Sequence, residues 1–142
     1  MRSLFDVNVL VALFDPHHSS HGSAIEWFDA HGSSGWASCP ITQNGCMRVM
    51  SQPTYKNVMP IAAIAEALRE AASHAAHEFW PDDVSLLNRD MVDGTRVHGP
   101  KQLTDVYLLA LAVARRGRLV TFDQSIPLAA VVGAQKKHLV VL

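Results

Sequence analysis

The sequence has little charge and no long apolar run. Only 18% of its 142 residues are charged, and the formal net charge is -1. Because there is no overall basic excess, any binding of nucleic acid has to depend on a local cluster of basic side chains. No apolar stretch approaches the roughly 18 residues that a membrane-spanning helix needs. The N-terminal segment also lacks the basic region and cleavage site of a secretory signal, so we expect a cytoplasmic protein.

Cysteine is scarce as well. The chain has two cysteines, Cys39 and Cys46, and no CxxC pair. This spacing gives no support to a zinc or dithiol redox site. We expect two free, buried thiols in a reducing compartment.

What the chain does have is apolar residues, which make up 49% of it. We predict one domain that spans residues 1–142 and buries a sizeable core. Apolar runs alternate with helical patterns bounded by capping and stop residues, which predicts an α/β domain with a mostly parallel sheet. The predicted strands are 2–5, 35–39, 77–80, 118–122 and 138–142, and the predicted helices are 8–14, 19–32, 40–50, 60–77 and 103–117.

Acidic residues stand where functional groups gather in such folds. Asp6 and Asp123 each follow a predicted strand directly, and Asp105 lies at the start of a helix with Thr104 as its expected N-cap. In open α/β sheets, ligands bind beyond the carboxyl ends of the strands. Taken singly, each acid could be a cap, a turn residue or a partner of the helix dipole. Together they predict a cluster of like charges that needs a cation or a proton.

The chemistry of such a cluster is specific. Carboxylate oxygens suit Mg²⁺ or Mn²⁺ better than zinc. Acids around these ions are typical of enzymes that hydrolyse phosphodiesters. The acidic residues therefore favour a metal-dependent hydrolase.

Four segments carry a family resemblance: LFDVNVLVALF, PITQNGCMRVMSQP, FWPDD and LTDVYLLALAVARRGRLVTFD. In this order, they resemble the PIN-domain proteins, and more narrowly the VapC-type toxins of toxin–antitoxin pairs. The resemblance implies a three-layer α/β/α sandwich with a mostly parallel central sheet. It also implies an endoribonuclease that uses Mg²⁺ or Mn²⁺ to activate water and leaves a 5′-phosphate.

The resemblance also assigns roles and partners. Asp6, Asp105 and Asp123 match the metal-binding acids of the family, and Asn8, Thr104 and Thr121 match supporting polar positions. The partners it implies are an RNA substrate, a cognate VapB-type antitoxin whose tail lies across an apolar groove, and a second copy of the toxin in a homodimer.

Gln43 departs from the family pattern, which carries Glu at this position. The amide keeps the shape of the side chain but removes one negative charge, so metal affinity and water activation should fall. We therefore count Gln43 among the expected catalytic positions but not among the metal ligands. Its effect leaves two hypotheses open, a weakened nuclease and a catalytically silent PIN-like module that only binds RNA or antitoxin.

Other polar residues have weaker expected roles. Arg96 and Lys101 flank the VHGP segment just before Asp105, so we expect them to contact RNA phosphates. The histidines at 17, 18 and 21 are interpreted as surface residues of a loop that enters a helix. A third hypothesis makes Asp6 the nucleophile of an aspartyl-phosphate phosphatase or a receiver domain. The scarcity of lysine, with four in the chain and none well placed after a strand, speaks against it.

Overall fold

The computed structural model describes all 142 residues, and they form one five-stranded sheet in which every strand pairing is parallel. The strands are β1 (Ser3–Phe5), β2 (Trp36–Ser38), β3 (His77–Phe79), β4 (Arg118–Thr121) and β5 (Leu139–Val141), and their order is β3-β2-β1-β4-β5. The chain moves outward from β1 to β3 and then returns to place β4 on the other side of β1. The junction between β1 and β4 is therefore the topological switch point, where α/β proteins bind ligands.

Five helices cover the sheet. They are α1 (Val7–Phe14), α2 (His21–His31), α3 (Pro40–Ser51), α4 (Ile61–Ala72) and α5 (Leu103–Ala114). Apolar residues of α1, α3 and α4 pack with Phe5 in one core cluster, whereas those of α5 pack with Leu4 in the other. Because successive side chains of a strand point to opposite faces, these two clusters mark the two faces of the sheet. The predicted α/β/α architecture is confirmed, and the sheet is wholly parallel.

Helix α5 lies in the core because it is apolar on all sides. Every residue from Val106 to Ala112 is buried. A helix that is apolar all round belongs in a core rather than at a surface. Its first turn carries Asp105, so the packing of the helix fixes this acid relative to β1 and β4.

Some predicted boundaries are wrong. The helix predicted over 60–77 ends at Ala72, where the Ser73 hydroxyl donates to the Glu70 carbonyl and the following residues turn into β3. Thr104 is not an N-cap, because a 3₁₀ turn over Pro100–Gln102 runs directly into α5 and Gln102 occupies the capping position. The prediction of two free, buried cysteines is confirmed. None of the helices is long and apolar enough to cross a membrane.

Candidate active site

Asp6 is held in place by two hydrogen bonds just past the end of β1. It caps α1 and accepts from the Val7 amide at 2.7 Å. Its second carboxylate oxygen accepts from the Thr121 hydroxyl at 2.7 Å. Burial raises the pKa of Asp6, and although these two hydrogen bonds oppose the shift, the negative charge of Asp123 adds to it. The side chain is 6% exposed, so it is a fixed and poorly solvated carboxylate.

Thr121 is the centre of a polar network that joins β4 to α1. Its hydroxyl donates to Asp6 and accepts from the Asn8 amide nitrogen at 3.3 Å and from the Asp123 backbone at 3.0 Å. The Asn8 amide oxygen accepts from the Phe122 backbone at 3.3 Å. All hydrogen-bonding positions of the Thr121 hydroxyl are thereby used. Asn8 and Thr121 thus orient Asp6 and the turn that carries Asp123.

Asp105 and Asp123 influence one another's ionisation. Burial raises the pKa of Asp105 to about 6, and the charges of Asp6 and Asp123 add to the effect. By contrast, hydrogen bonds from the Ser125 hydroxyl and backbone lower the pKa of Asp123. Below about pH 6, Asp105 is therefore mostly protonated, whereas Asp123 keeps its charge to lower pH.

The three acids line one cavity of about 340 Å³ beside the switch point. This brings together the three acids predicted from the sequence. Asn8 also lines the cavity, as do His18 and Tyr55, whose positions were not foreseen. Tyr55 lies in a loop with no motif of its own, and the histidines at 17, 18 and 21 look alike in sequence. Only the folded chain shows that His18, and not His17 or His21, lines the cavity of the acids.

The carboxylates of the cavity suit a divalent cation that prefers oxygen ligands and keeps several of its waters. No three acidic, histidine or cysteine side chains are arranged closely enough to hold an ion by themselves. Mg²⁺ seldom needs such a cage, because it keeps several waters and is often bound by one or two carboxylates together with substrate phosphates. Burial and the charge of neighbouring carboxylates raise the pKa values of Asp6 and Asp105. A bound cation would therefore stabilise their ionised forms. The residues therefore fit Mg²⁺ or Mn²⁺ in an open site.

Gln43 does not line this cavity. Its amide nitrogen donates to the Ser38 hydroxyl at 2.9 Å, and that oxygen lies 2.8 Å from His77 Nε2. Burial lowers the pKa of His77, the charge of Arg2 adds to this effect, and the neutral ring is favoured. Because the Ser38 oxygen already accepts from Gln43, we assign the Ser38 hydroxyl as the donor to His77 Nε2. The amide at position 43 thus belongs to a hydrogen-bond network that links α3, β2 and β3. No local sequence pattern indicates these hydrogen bonds.

The remaining predicted residues lie outside the cavity lining. Arg96 pairs with Asp93, with the guanidinium Nε 3.3 Å from a carboxylate oxygen, and its side chain is 61% exposed. Lys101 is exposed in the 3₁₀ turn before α5, and Thr104 is exposed in the first turn of that helix. Arg96 and Lys101 remain candidate RNA contacts at the surface.

A second, larger cavity of about 700 Å³ runs between α1, α2 and α4 and is lined mainly by apolar side chains. Helix α1 separates the two cavities, since Asn8 and Val11 face the acids whereas Leu10 and Leu13 face the apolar groove. Asp29 and Glu70 also line the groove.

Comparison with known proteins shows the family to which this chain belongs. Residues 3–132 match the model of the PIN domain. The chain is 53% identical to the ribonuclease VapC44 of Mycobacterium tuberculosis, with both chains covered in full. It is 44% identical to the ribonuclease VapC39 of the same species over 89% of this chain and 91% of the relative.

Solved structures agree on the fold. The chain resembles VapC20 of Mycobacterium tuberculosis, a toxin that cleaves the sarcin–ricin loop, with a TM-score of 0.60 and 15% identity over 92% of this chain and 96% of that one. It also resembles VapBC2 of Rickettsia felis bound to a fragment of promoter DNA, with a TM-score of 0.54 and 15% identity over 87% and 89%. The receiver-domain hypothesis is therefore wrong. This chain belongs to the PIN-domain family and, within it, groups with the VapC ribonucleases that it matches over its full length.

Proposed function

We propose that this protein is a Mg²⁺- or Mn²⁺-dependent endoribonuclease and the toxic component of a toxin–antitoxin pair. The observation that carries the proposal is the meeting of Asp6, Asp105 and Asp123 around one cavity at the switch point of a PIN-domain sheet. The relatives of known name are ribonucleases, and 53% identity over the full length supports the same reaction class here.

One or two of the three carboxylates would hold the ion together with waters and a substrate phosphate. The ion would supply positive charge to the phosphate and lower the pKa of an attacking water. Asp6 is already fixed by its bonds to Val7 and Thr121, so it presents its carboxylate without reorganisation. Asp105 must lose its proton before it can act as a ligand. Since its pKa is about 6, that loss is complete only above neutral pH in the free protein.

The proposed function is tested by expressing the chain briefly in cells and mapping the 5′ ends of cellular RNA. The wild-type chain should produce new 5′-phosphate ends at defined sites, and Asp6→Asn should abolish them. Asp90→Asn is the matched control, because Asp90 is an exposed loop acid outside the cavity lining. Continued cleavage by Asp6→Asn would contradict the assignment of the site.

A silent binding module is the second candidate, and the amide at Gln43 is the observation that favours it. Because Gln43 bonds to Ser38 outside the cavity, we expect the wild-type chain to cleave RNA without a carboxylate at this position. If only Gln43→Glu cleaves RNA, the wild-type chain is the silent module.

We further propose that a VapB-type antitoxin places an apolar segment in the groove between α1, α2 and α4, and that the toxin forms a homodimer in the cytoplasm. The groove supports the first part by its size and its mainly apolar lining. Leu13→Asp should reduce capture of the co-expressed antitoxin, whereas Val132→Asp, at a side chain 51% exposed outside the groove, should not. Equal capture by both variants would place the antitoxin elsewhere. Light scattering of the free toxin tests the dimer, and a monomer mass would refute it.

A further inference from the structure

The cavity beside the acids has a second wall, formed by the loop that follows α1 and the loop that follows α3. His18 represents the first loop in the lining and Tyr55 the second, with Val11 and Val49 from the adjoining helices. The part of the lining that these two loops contribute therefore carries no carboxylate of its own.

His18 presents a fixed hydrogen-bond donor on this wall. Its Nδ1 accepts from the Ser20 backbone amide at 3.0 Å. A neutral imidazole that accepts at Nδ1 carries its hydrogen on Nε2. The loop geometry thus selects the tautomer whose outer nitrogen donates.

Most other polar groups of the lining are bonded or acidic. The Asn8 amide oxygen accepts from Phe122, one hydrogen of its nitrogen donates to Thr121, and the Tyr55 hydroxyl donates to Asp15. The side-chain donors of this lining without a partner are therefore the Nε2 hydrogen of His18 and the second amide hydrogen of Asn8.

Asp15 connects the two loops that form this side of the cavity through hydrogen bonds to both. This carboxylate is 3% exposed and accepts from the Tyr55 hydroxyl, the Asn57 amide at 3.0 Å and the His17 backbone at 2.9 Å. Its own carbonyl accepts from the His18 backbone at 3.0 Å. Burial opposes ionisation, but these hydrogen bonds outweigh it and lower the pKa of Asp15. The buried Asp15 carboxylate therefore connects the loop after α1 to the loop after α3, and the position of His18 depends on these hydrogen bonds.

We propose that His18 is a substrate-binding residue whose Nε2–H donates to an RNA phosphate oxygen in the acidic cavity. This inference rests on the proposed RNA hydrolysis. The cavity volume of about 340 Å³ is near the lower end of the range for small-molecule sites, about 300–1,000 Å³, which suits a single nucleotide unit. A phosphate drawn into a site with three carboxylates needs donors from the protein, and a hydrogen bond to a charged oxygen is among the stronger ones.

Three variants separate this role from a structural one. His18→Asn keeps an acceptor for the Ser20 amide but removes the donor that faces the cavity. His18→Gln restores an amide nitrogen near the position of Nε2. His17→Asn is the matched control, because His17 is the exposed neighbour and bonds to Asp15 through its backbone alone.

Binding is measured by fluorescence anisotropy with a fluorescein-labelled random-sequence 12-residue RNA in the Asp105→Asn background, so that bound RNA is not cut. His18→Asn should weaken binding about ten-fold or more, His18→Gln should recover part of the loss, and His17→Asn should bind as the parent does. With Asp105 restored, His18→Asn should raise KM for RNA cleavage more than it lowers kcat. Thermal unfolding of each variant verifies that the fold is retained.

The outcomes distinguish the two proposals. If His18→Asn binds and cleaves RNA as well as His17→Asn does, the assignment of His18 is wrong and the nuclease function stands. If His18→Gln retains the fold but recovers nothing, the role of the donor is refuted. If no variant and no wild-type chain cleaves RNA, yet binding falls in His18→Asn alone, the nuclease function is wrong and the phosphate contact stands.

Discussion

The most instructive perturbation is Asp105→Asn. Metal binding needs the ionised carboxylate of this residue, whereas its burial in the folded protein disfavours that form. Burial and two neighbouring carboxylates raise the pKa of Asp105 from 3.8 to about 6. The folded protein therefore binds a proton at this carboxyl more tightly than the unfolded chain does. Stability consequently falls as pH rises from about 4 to about 7, and the cost is fully present above that window.

The magnitude follows from the size of the pKa difference. A rise from 3.8 to about 6 corresponds to about 3 kcal/mol if none of it is screened. The Asp105 side chain is only partly buried, so solvent screening reduces this value, and we expect about 1–1.5 kcal/mol. Asn has the same shape and carries no charge. Asp105→Asn should therefore stabilise the metal-free protein at pH 8 by this amount while abolishing RNA cleavage.

Urea unfolding in EDTA at pH 8 and pH 5 measures the effect. The gain should be largest at pH 8 and fall to about half at pH 5, because the wild-type carboxyl is mostly protonated there. Asp90→Asn, the exposed control, should change stability by less than about 0.5 kcal/mol at both pH values. A loss of stability in Asp105→Asn at pH 8, or an equal gain at both pH values, would show that the folded protein does not raise the pKa of Asp105.

The remaining predictions concern metal binding, the hydrogen bond from Tyr55 to Asp15, and the hydrogen bonds that join Gln43, Ser38 and His77. Saturating Mg²⁺ should raise the unfolding free energy of the wild type by about 2.7 kcal/mol at a hundred-fold excess over Kd and leave Asp105→Asn nearly unchanged; equal stabilisation of both would place the ion elsewhere. Tyr55→Phe should lower stability by about 1.5–3 kcal/mol in urea unfolding near neutral pH, because it removes a hydrogen bond to the buried charge of Asp15, and an unchanged midpoint would refute that role. Gln43→Glu should raise the pKa of His77 in an NMR titration, because a carboxylate only accepts and the Ser38 hydroxyl would turn to it; an unchanged His77 titration would contradict the proposed direction of these bonds.

The fold and the three acids were predictable because strong local signals agree with the global topology. Asp6 and Asp123 stand next to apolar strand residues, and α5 is bounded by clear polar residues. The parallel sheet then brings the two strand ends to one edge. The end of α4 was not predictable, since alanine favours helix up to His77, whereas pairing of 77–79 with β2 requires the chain to leave the helix earlier.

The rest of the site depends on contacts between distant parts of the chain. Asp15 and Tyr55 are 40 positions apart and belong to loops without a motif, so no local pattern shows that they meet. His18 differs from His17 only by its place in the turn that Asp15 organises. Gln43 appeared to be a missing ligand because the resemblance compares residue types, whereas its bond to Ser38 is visible only in the folded chain.

The central claim is that Asp6, Asp105 and Asp123 form a metal-dependent nuclease site. The most direct measurement is cleavage of purified cellular RNA by the isolated chain with Mg²⁺, with Mn²⁺ and with EDTA, together with Asp123→Asn under the same conditions. Products with 5′-phosphate ends are expected when either metal is present, and none with EDTA or with the variant. Cleavage in EDTA, or by Asp123→Asn at the wild-type rate, would show that these acids do not form a metal-dependent nuclease site.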